Sequence, residues 1–338
     1  MKRPHVRRRF LVLAVTIPCV ILGGGLSFMT CMPGSSRSQG YGPVRRSDSG
    51  LGGDIQRDVR ALAETIGERN VTRPDALNAA RDYIEASFAR FGFTPKRETY
   101  SVAGVACSNV IAEIAGSSKR SEIVVVGAHY DSVVGSPGAN DNASGTAALL
   151  SLARHFSTTR PARTLRFVAF VNEEPPWFQT DDMGSRVHAK ASRARGDDII
   201  AMLSPETLGC YSDAADSQRY PAPILNLVYP SRGNFVAFVS NLSSRSLLRD
   251  VIREFRESDT VPSAGGALPE FVSGVGWSDH ESFWREGYPA VMVTDTAVYR
   301  DANYHEKSDT ADAVDFARLA CVAIALEQLV EHLVSQSN

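Results

Sequence analysis

Two adjacent glutamates, Glu173 and Glu174, follow an apolar run in the stretch FVNEEPPWFQTDDMGS at residues 170–185. Burying either carboxylate alone costs free energy, and two like charges side by side repel each other. Pro175 and Pro176 follow at once and restrict the backbone through their fixed φ angles. Because a divalent cation neutralises clustered carboxylates, the pair is a candidate for a metal site.

Four further polar clusters support a shared site, because they also follow apolar runs. They occur in GAHYDS, GANDNASG, SPETLG and YHEKSDT. An isolated His or Asp at a strand end is usually a cap or turn residue, but five clusters in one chain favour a common purpose. His, Asp and Glu without cysteine are ligands that suit Zn²⁺, and an aspartate two residues after a histidine is well spaced to hold the imidazole from behind. The candidates are His129, Asp131, Asp141, Glu206, His305 and Asp309.

Apolar runs and helical spacings alternate along the chain and predict how these clusters are positioned. Continuous apolar strands such as IVVVGA and FVAFV are typical of strands buried on both faces. They predict an α/β fold with a mixed, largely parallel central sheet between helices, in which ligands bind beyond the carboxyl ends of the strands. The predicted strands are 108–114, 122–128, 165–171, 199–204, 224–228 and 289–294. The predicted helices are 143–156, 184–194, 233–257 in two pieces, 279–286 and 311–334.

The N-terminal region differs in composition from the rest. Residues 1–9 form a basic tip, and residues 10–32 carry no charge and are long enough to span a bilayer. No clean small-x-small site follows, which favours an uncleaved transmembrane anchor over a cleaved signal peptide. Residues 33–53 are rich in Gly and Ser and predict a flexible linker, and residues 54–338 form one domain. Either alternative places that domain outside the cytoplasm, membrane-anchored or secreted if the segment is cleaved.

Composition argues against a nucleic-acid-binding protein and against a protein built on cysteine zinc sites or disulfides. The chain has 36 Lys and Arg against 38 Asp and Glu, and eight of the basic residues but no acidic residue precede Asp48. The remainder is therefore acidic, which argues against a nucleic-acid partner. The five cysteines show no CxxC spacing, so they predict neither a cysteine zinc site nor a disulfide scaffold.

The motifs HYDS, GANDNASG, NEEPP with MGS, SDH, and YH followed by DT resemble those of the co-catalytic zinc exopeptidases of the bacterial leucyl aminopeptidase and aminopeptidase Y kind. The resemblance extends over most of residues 54–334. It implies two zinc ions per chain, shared by a bridging Asp141, and a cis peptide bond between Asp141 and Asn142. The ligands that it assigns are His129 and Glu206 to one ion, and Glu174 and His305 to the other.

The resemblance also implies an activity, the hydrolysis of N-terminal peptide bonds of peptides by a hydroxide that bridges the two zinc ions. Glu173 would be the general base. Some relatives carry a tyrosine immediately before the last histidine, which nominates Tyr304 as the donor to the oxyanion. Other relatives carry a tyrosine three residues before SDH, where this chain has Val275. Pro205, directly before Glu206, departs from the pattern of the relatives, which often carry leucine there. The flanks of the glutamate pair, with Trp177 and the TDDMGS run, look like those of a membrane-associated bacterial branch.

Alternatives to an aminopeptidase remain open from the sequence. A glutaminyl cyclase has this fold with a single zinc, and its relatives carry tryptophan where this chain has Tyr304. A carboxypeptidase needs a basic group for the substrate carboxylate, and a metal-free receptor-like homologue predicts missing ligands. Asp279 and His280 of SDH are expected to orient a helix start rather than bind metal. The aromatic residues around this motif line either the core or a specificity pocket: Trp277, Phe283, Trp284 and Tyr288.

Overall fold

The structure, a computed structural model, describes residues 23–38, 40–42 and 50–335. The strands are β1 (Lys96–Val102), β2 (Val105–Ile114), β3 (Lys119–His129), β4 (Arg163–Phe170), β5 (Asp198–Glu206), β6 (Val236–Ser240), β7 (Ser263–Ala267) and β8 (Ala290–Thr294). The helices are α1 (23–30), α2 (Leu51–Arg60), α3 (Pro74–Arg90), α4 (Gly145–Phe156), α5 (Gly184–Arg195), α6 (Arg245–Glu257), α7 (His280–Arg285) and α8 (Phe316–Ser335). A π-helical turn, Ala61–Ile66, extends α2, and another, Ala139–Ser144, precedes α4.

All eight strands join one mixed sheet in the order β1-β2-β4-β3-β5-β8-β6-β7. Strands β4, β3, β5 and β8 in the centre run parallel, while β1–β2, β2–β4 and β6–β8 pair antiparallel. The predicted mixed α/β fold is therefore confirmed, with its parallel part at the centre of the sheet. Because the central strands run the same way, their carboxyl ends lie along one edge.

The two faces of the sheet are covered by different helices. Val124 and Val126 of β3 pack in a core with α2, α3, α4, α6 and α8, while Val125 between them packs in a second core with α5 and α7. This alternation is the period of two that a strand imposes. A strand buried on both faces must be apolar throughout, which is why β3 and β4 were recognisable in the sequence.

Two predicted elements are wrong. Residues 224–228 were predicted as a strand, but Pro223–Leu227 form a 3₁₀ turn in which Leu227 is 81% exposed. Pro223 has no N–H to donate to a neighbouring strand, so a turn is favoured there. The first piece of the predicted helix 233–257 is strand β6, whose β-branched and aromatic residues pair with β7 and β8 on either side. The other predicted strands and helices are confirmed to within three residues at their ends, except that the helix predicted over 311–334 begins at Phe316, after a 3₁₀ turn at Ala311–Ala313.

Part of the apolar N-terminal segment lies in the described region. Its residues 23–30 form α1, where the Phe28 carbonyl accepts a hydrogen bond from Arg245 of α6 at 2.7 Å. The following residues pack on the domain, since Arg256 donates to the carbonyl of Pro33 at 2.8 Å and Gly42 N–H donates to Thr260 at 2.7 Å. The described part of the predicted linker is therefore held against α6 and β7.

No helix among the described residues is long and apolar enough to cross a bilayer. Residues 1–22, which include the basic tip and the first part of the predicted anchor, lie outside the described residues, as do residues 43–49 of the predicted linker. The first helix of the domain, α2, begins at Leu51, ahead of the predicted boundary at 54.

Candidate metal centre

The predicted polar clusters meet at the carboxyl edge of the central strands. His129 and Glu206 are the last residues of β3 and β5. Glu173 and Glu174 follow β4, His305 lies in the segment after β8, and Asp141 lies in the π-helical turn that precedes α4. Parallel strands thus bring together side chains that are far apart in the sequence.

Asp141 lies between two imidazoles. Its Oδ1 is 3.3 Å from Nε2 of His129, and its Oδ2 is 3.2 Å from Nε2 of His305. Glu206 Oε2 lies 3.3 Å from His129 Nε2 on one side, and Glu174 Oε2 lies 3.2 Å from His305 Nε2 on the other. The five residues that the resemblance assigned as ligands therefore form two sets that share Asp141.

These residues fit a divalent metal. Both ring nitrogens of His129 are buried and have no hydrogen-bond partner among the described residues. One ligand atom each from His129, Asp141 and Glu174 lies within 4.8 Å of the other two. Burial and the nearby Asp141 carboxylate raise the pKa of Glu174 to about 8, so its ionised form is unfavourable in the protein alone. Imidazole and carboxylate donors around a common point are the ligands that zinc prefers, and the cation would offset this repulsion.

The two adjacent glutamates are held differently. Glu174 Oε1 accepts a hydrogen bond from Val133 N–H at 3.1 Å, and its other oxygen faces His305. Among the described residues, no hydrogen bond reaches the carboxylate of Glu173, whose Oε2 lies 3.9 Å from His129 Nε2. Burial, together with the carboxylates of Glu206 and Glu174, raises the pKa of Glu173 well above its ordinary value. Among the described residues, a hydrogen bond therefore holds the Glu174 carboxylate, and none holds that of Glu173.

Asp131 supports the glutamate pair rather than the imidazole. It accepts hydrogen bonds from the N–H groups of Glu173 at 3.1 Å and Glu174 at 3.2 Å. Its distance to His129 Nδ1 is 3.6 Å, which is longer than a hydrogen bond. Asp309 likewise holds main chain, because its carboxylate accepts from Asn140 N–H at 2.7 Å and Asp141 N–H at 3.0 Å.

Two residues that sequence reasoning missed hold Glu206. Asn142 Nδ2 donates to Glu206 Oε2 at 3.3 Å and to the carbonyl of Pro205 at 3.0 Å, and Ser278 Oγ donates to the same carboxylate oxygen at 2.7 Å. The peptide bond between Asp141 and Asn142 is cis, as the resemblance implied. The sequence signal that identifies Ser278 is its place in the SDH motif, directly before Asp279 and His280.

Tyr304 lies at the edge of the site. Its ring stacks on His305 with 3.9 Å between centroids and 18° between planes. Burial and the surrounding carboxylates raise its pKa, so the phenol stays protonated and can donate a hydrogen bond. Val275, at the position where other relatives of the resemblance have tyrosine, is an apolar wall residue of the adjoining cavity.

An apolar cavity of about 110 Å³ adjoins the site, and both Glu206 and Tyr304 line it. Trp277 is at this cavity, whereas the other aromatic candidates are buried in the second core between the sheet and α7. Among the described lining residues, Glu206 is the only charged one. The aromatic and aliphatic lining includes Tyr220, Leu225, Tyr229, Phe235, Leu268, Tyr299 and Met292.

Comparisons of the sequence with known proteins find a matching family profile and several relatives. Residues 109–330 match the sequence profile of peptidase family M28. A relative from Escherichia coli K12, the uncharacterized protein YfbL, is 35% identical over 79% of this chain and 84% of its own length. A probable leucine aminopeptidase of Arthroderma otae is 28% identical, and the match covers 60% of this chain but only 50% of that protein.

Solved structures share the fold. A zinc aminopeptidase from Bacillus subtilis superposes with a TM-score of 0.68 at 14% identity, covering 84% of this chain and 95% of that one. A glutaminyl cyclase from Fimbriiglobus ruber gives a TM-score of 0.62 at 19% identity, covering 88% and 99%. At these identities the likeness concerns the fold alone.

Proposed function

Because the chain belongs to peptidase family M28, we propose that it is a zinc-dependent aminopeptidase that removes the N-terminal residue of peptides. The predicted resemblance to the zinc exopeptidases of this family is confirmed. The observation that carries the proposal is the pair of imidazole and carboxylate sets that share Asp141, with the Glu173 carboxylate free beside them. Relatives described as aminopeptidases support it.

In this proposal two zinc ions bind per chain. One would be held by His129, Asp141 and Glu206, and the other by Asp141, Glu174 and His305. The chemistry that zinc supplies when bound is Lewis acidity toward the scissile carbonyl and toward water.

The chain's own residues then transfer the proton of the attacking water and stabilise the negative charge that develops on the scissile carbonyl oxygen. Glu173 takes the proton from the attacking water and delivers it to the leaving amine. The Tyr304 hydroxyl, kept protonated by its raised pKa, donates a hydrogen bond to the developing oxyanion. The Asp131 carboxylate holds the main chain of Glu173 by accepting a hydrogen bond from its N–H.

The cavity favours a bulky apolar side chain on the N-terminal residue of the substrate. The carboxylate of Glu206, which lines this cavity, attracts a positively charged amino terminus. No Lys or Arg is among the described residues that line the cavity, so nothing there pairs with a substrate carboxylate as a carboxypeptidase would need. This lining therefore supports an aminopeptidase over a carboxypeptidase.

A panel of p-nitroanilides tests the function. The full-length chain with zinc is expected to hydrolyse leucyl and phenylalanyl substrates at least about tenfold faster, in kcat/KM, than alanyl or lysyl ones. N-acetyl-leucyl-p-nitroanilide, which lacks the positive charge, is expected to be inert. Hydrolysis of the acetylated substrate at the leucyl rate would contradict an aminopeptidase.

The second candidate function is glutaminyl cyclase, favoured only by the shared fold. Measuring bound zinc separates the two functions, because the proposal requires two ions per chain. One ion per chain, together with cyclisation of an N-terminal glutamine, would replace the aminopeptidase by the cyclase.

The location proposed for the domain is outside the cytoplasm, with the apolar N-terminal segment as its membrane attachment. The support is the charge-free run behind a basic start. N-terminal sequencing of the protein from the membrane fraction tests it. A chain that begins beyond residue 32 would show a cleaved signal instead.

Substitution of Trp277, which lines the cavity, tests whether the cavity selects the side chain of the substrate's N-terminal residue. Trp277→Ala is expected to lower kcat/KM for the leucyl substrate about tenfold, because the indole supplies apolar contact area, and to change the alanyl substrate much less. The matched control is Phe271→Ala, which removes a ring that is 89% exposed in the same segment but does not line the cavity. Equal losses on both substrates, or the same loss in the control, would exclude Trp277 from the substrate pocket.

A further inference from the structure

A buried arginine outside all the sequence motifs contacts the loop that joins two metal-site segments. Arg69 lies just after the first helical region, and its side chain is 0% exposed. The loop at 130–138 begins directly after His129 and ends shortly before Asp141. Arg69 contacts both of its ends.

The contacts are hydrogen bonds to main-chain carbonyls. Arg69 Nε donates to Tyr130, at the start of the loop, and its terminal nitrogens donate to Pro137 and, at 2.8 Å, to Gly138 at the end. The main chain of Arg69 joins the middle of the loop, because its N–H donates to Ser132 Oγ at 3.1 Å and its carbonyl accepts from Ser132 N–H at 3.0 Å. One side chain therefore bridges the two ends of the loop.

Burying the Arg69 guanidinium in this way costs free energy of folding. A guanidinium buried without a carboxylate against it loses its hydration, and here only carbonyl oxygens replace the water. Burial lowers the pKa of Arg69 to about 10, so it still carries its charge at neutral pH. The acidic residues that act on it electrostatically belong to the metal site: Asp131, Asp309, Asp141 and Glu174.

Gly138 shows how closely the loop end is fitted to this arginine. Its φ is +61°, in the left-handed region that glycine adopts readily. A Cβ at this position would lie 2.4 Å from the Asp141 carbonyl and 3.3 Å from Arg69 Nη2. The main chain that leads to Asp141 is thus packed directly between the arginine and the metal site.

We propose that Arg69 is a positioning residue of the metal centre: its side chain holds both ends of the 130–138 loop and its main chain holds the middle, so that His129 and Asp141 face one metal. The inference rests on the zinc-dependent function proposed above. A planar guanidinium with five donors can span several carbonyls, whereas a lysine ammonium is a single point of charge. Lysine at this position keeps the positive charge but cannot donate hydrogen bonds to the carbonyls at both ends of the loop.

The test measures zinc binding by the metal-stripped full-length chain, in competition with a chromophoric chelator. Arg69→Lys is expected to weaken zinc binding about tenfold, as loss of support around metal ligands does. It is also expected to lower kcat on leucyl-p-nitroanilide about tenfold with KM nearly unchanged, because substrate contacts are untouched. Wild-type zinc affinity and kcat in Arg69→Lys would overturn the proposal.

Arg163 provides the matched control. It is a buried arginine at the first residue of β4, at the opposite end of the sheet, where it donates to the Leu333 carbonyl at 2.7 Å and pairs with Glu122. Arg163→Lys is expected to lower Tm while zinc affinity and kcat per folded molecule stay at the wild-type values. A purely structural Arg69 would give that same pattern.

A milder variant covers the case in which Arg69→Lys does not fold. Ser132→Ala removes the hydroxyl that accepts from Arg69 N–H and donates to Ser136 at 2.9 Å, and it is expected to weaken zinc binding about threefold. Unchanged zinc affinity in Ser132→Ala would overturn the proposal. Zinc affinity is measured without substrate, so the two proposals can fail separately. A wild-type chain that binds zinc but hydrolyses no p-nitroanilide would contradict the proposed function, and the zinc affinities of the Arg69→Lys and Ser132→Ala variants would still test the role of Arg69.

Discussion

Glu173→Gln is expected to lower kcat on leucyl-p-nitroanilide at least about 10³-fold, since a general base contributes that order of rate and an amide cannot accept the proton. The substitution preserves shape, and no described hydrogen bond to the Glu173 carboxylate is lost. Zinc content and Tm are therefore expected to stay near the wild-type values. Steady-state kinetics, elemental analysis of bound zinc and thermal unfolding measure the three quantities.

Glu174→Gln is the neighbouring control with the opposite expected pattern. Its carboxylate lies 3.2 Å from His305 Nε2 and accepts from Val133 N–H, so the amide is expected to cost zinc as well as turnover. If zinc is lost from Glu173→Gln and kept by Glu174→Gln, the base and the ligand have been assigned the wrong way round. Loss of zinc from both variants would make the pair a joint ligand.

The meeting of the candidate ligands at one edge of the sheet was predictable because it depends on sheet geometry. His129 and Glu206 end strands whose apolar sequences mark them as central, so their side chains had to meet at one edge. The supporting residues were not predictable in the same way. Arg69 and Asp309 act on main-chain groups, and nothing in a sequence shows which distant carbonyl or N–H a side chain will contact.

The parts of the fold that the sequence missed lie at the sheet margins. Strand β1, KRETYSV, has a largely polar and exposed surface, and β7, SAGGA, has side chains too small to show an apolar pattern. Pairing with a neighbouring strand, rather than intrinsic preference, makes these segments extended. The central strands need no such context, because burial on both faces fixes their composition.

Asp141→Asn is expected to abolish high-affinity zinc binding, raising the Kd by more than about 10²-fold, because one residue serves both ligand sets. An amide has no charge and offers only one oxygen. It therefore cannot supply one carboxylate oxygen to the ligand set of His129 and an equivalent one to the ligand set of His305. In the wild-type chain, zinc at 100 times its Kd is expected to add about 2.7 kcal/mol to the free energy of unfolding, which a chelator removes. The variant is expected to show no such gain, and less than about one thousandth of the wild-type kcat.

Asp279→Asn is the control that separates the loss of a ligand from the loss of any buried carboxylate near the site. Asp279 is 0% exposed, and burial raises its pKa to about 7, yet it makes no ion pair with either histidine among the described residues. Chemical unfolding with zinc and with a chelator is expected to show the full zinc-dependent gain in this variant. An equal gain in Asp141→Asn would show that the two imidazole sets do not share a metal ligand, and the two-zinc centre would have to be abandoned.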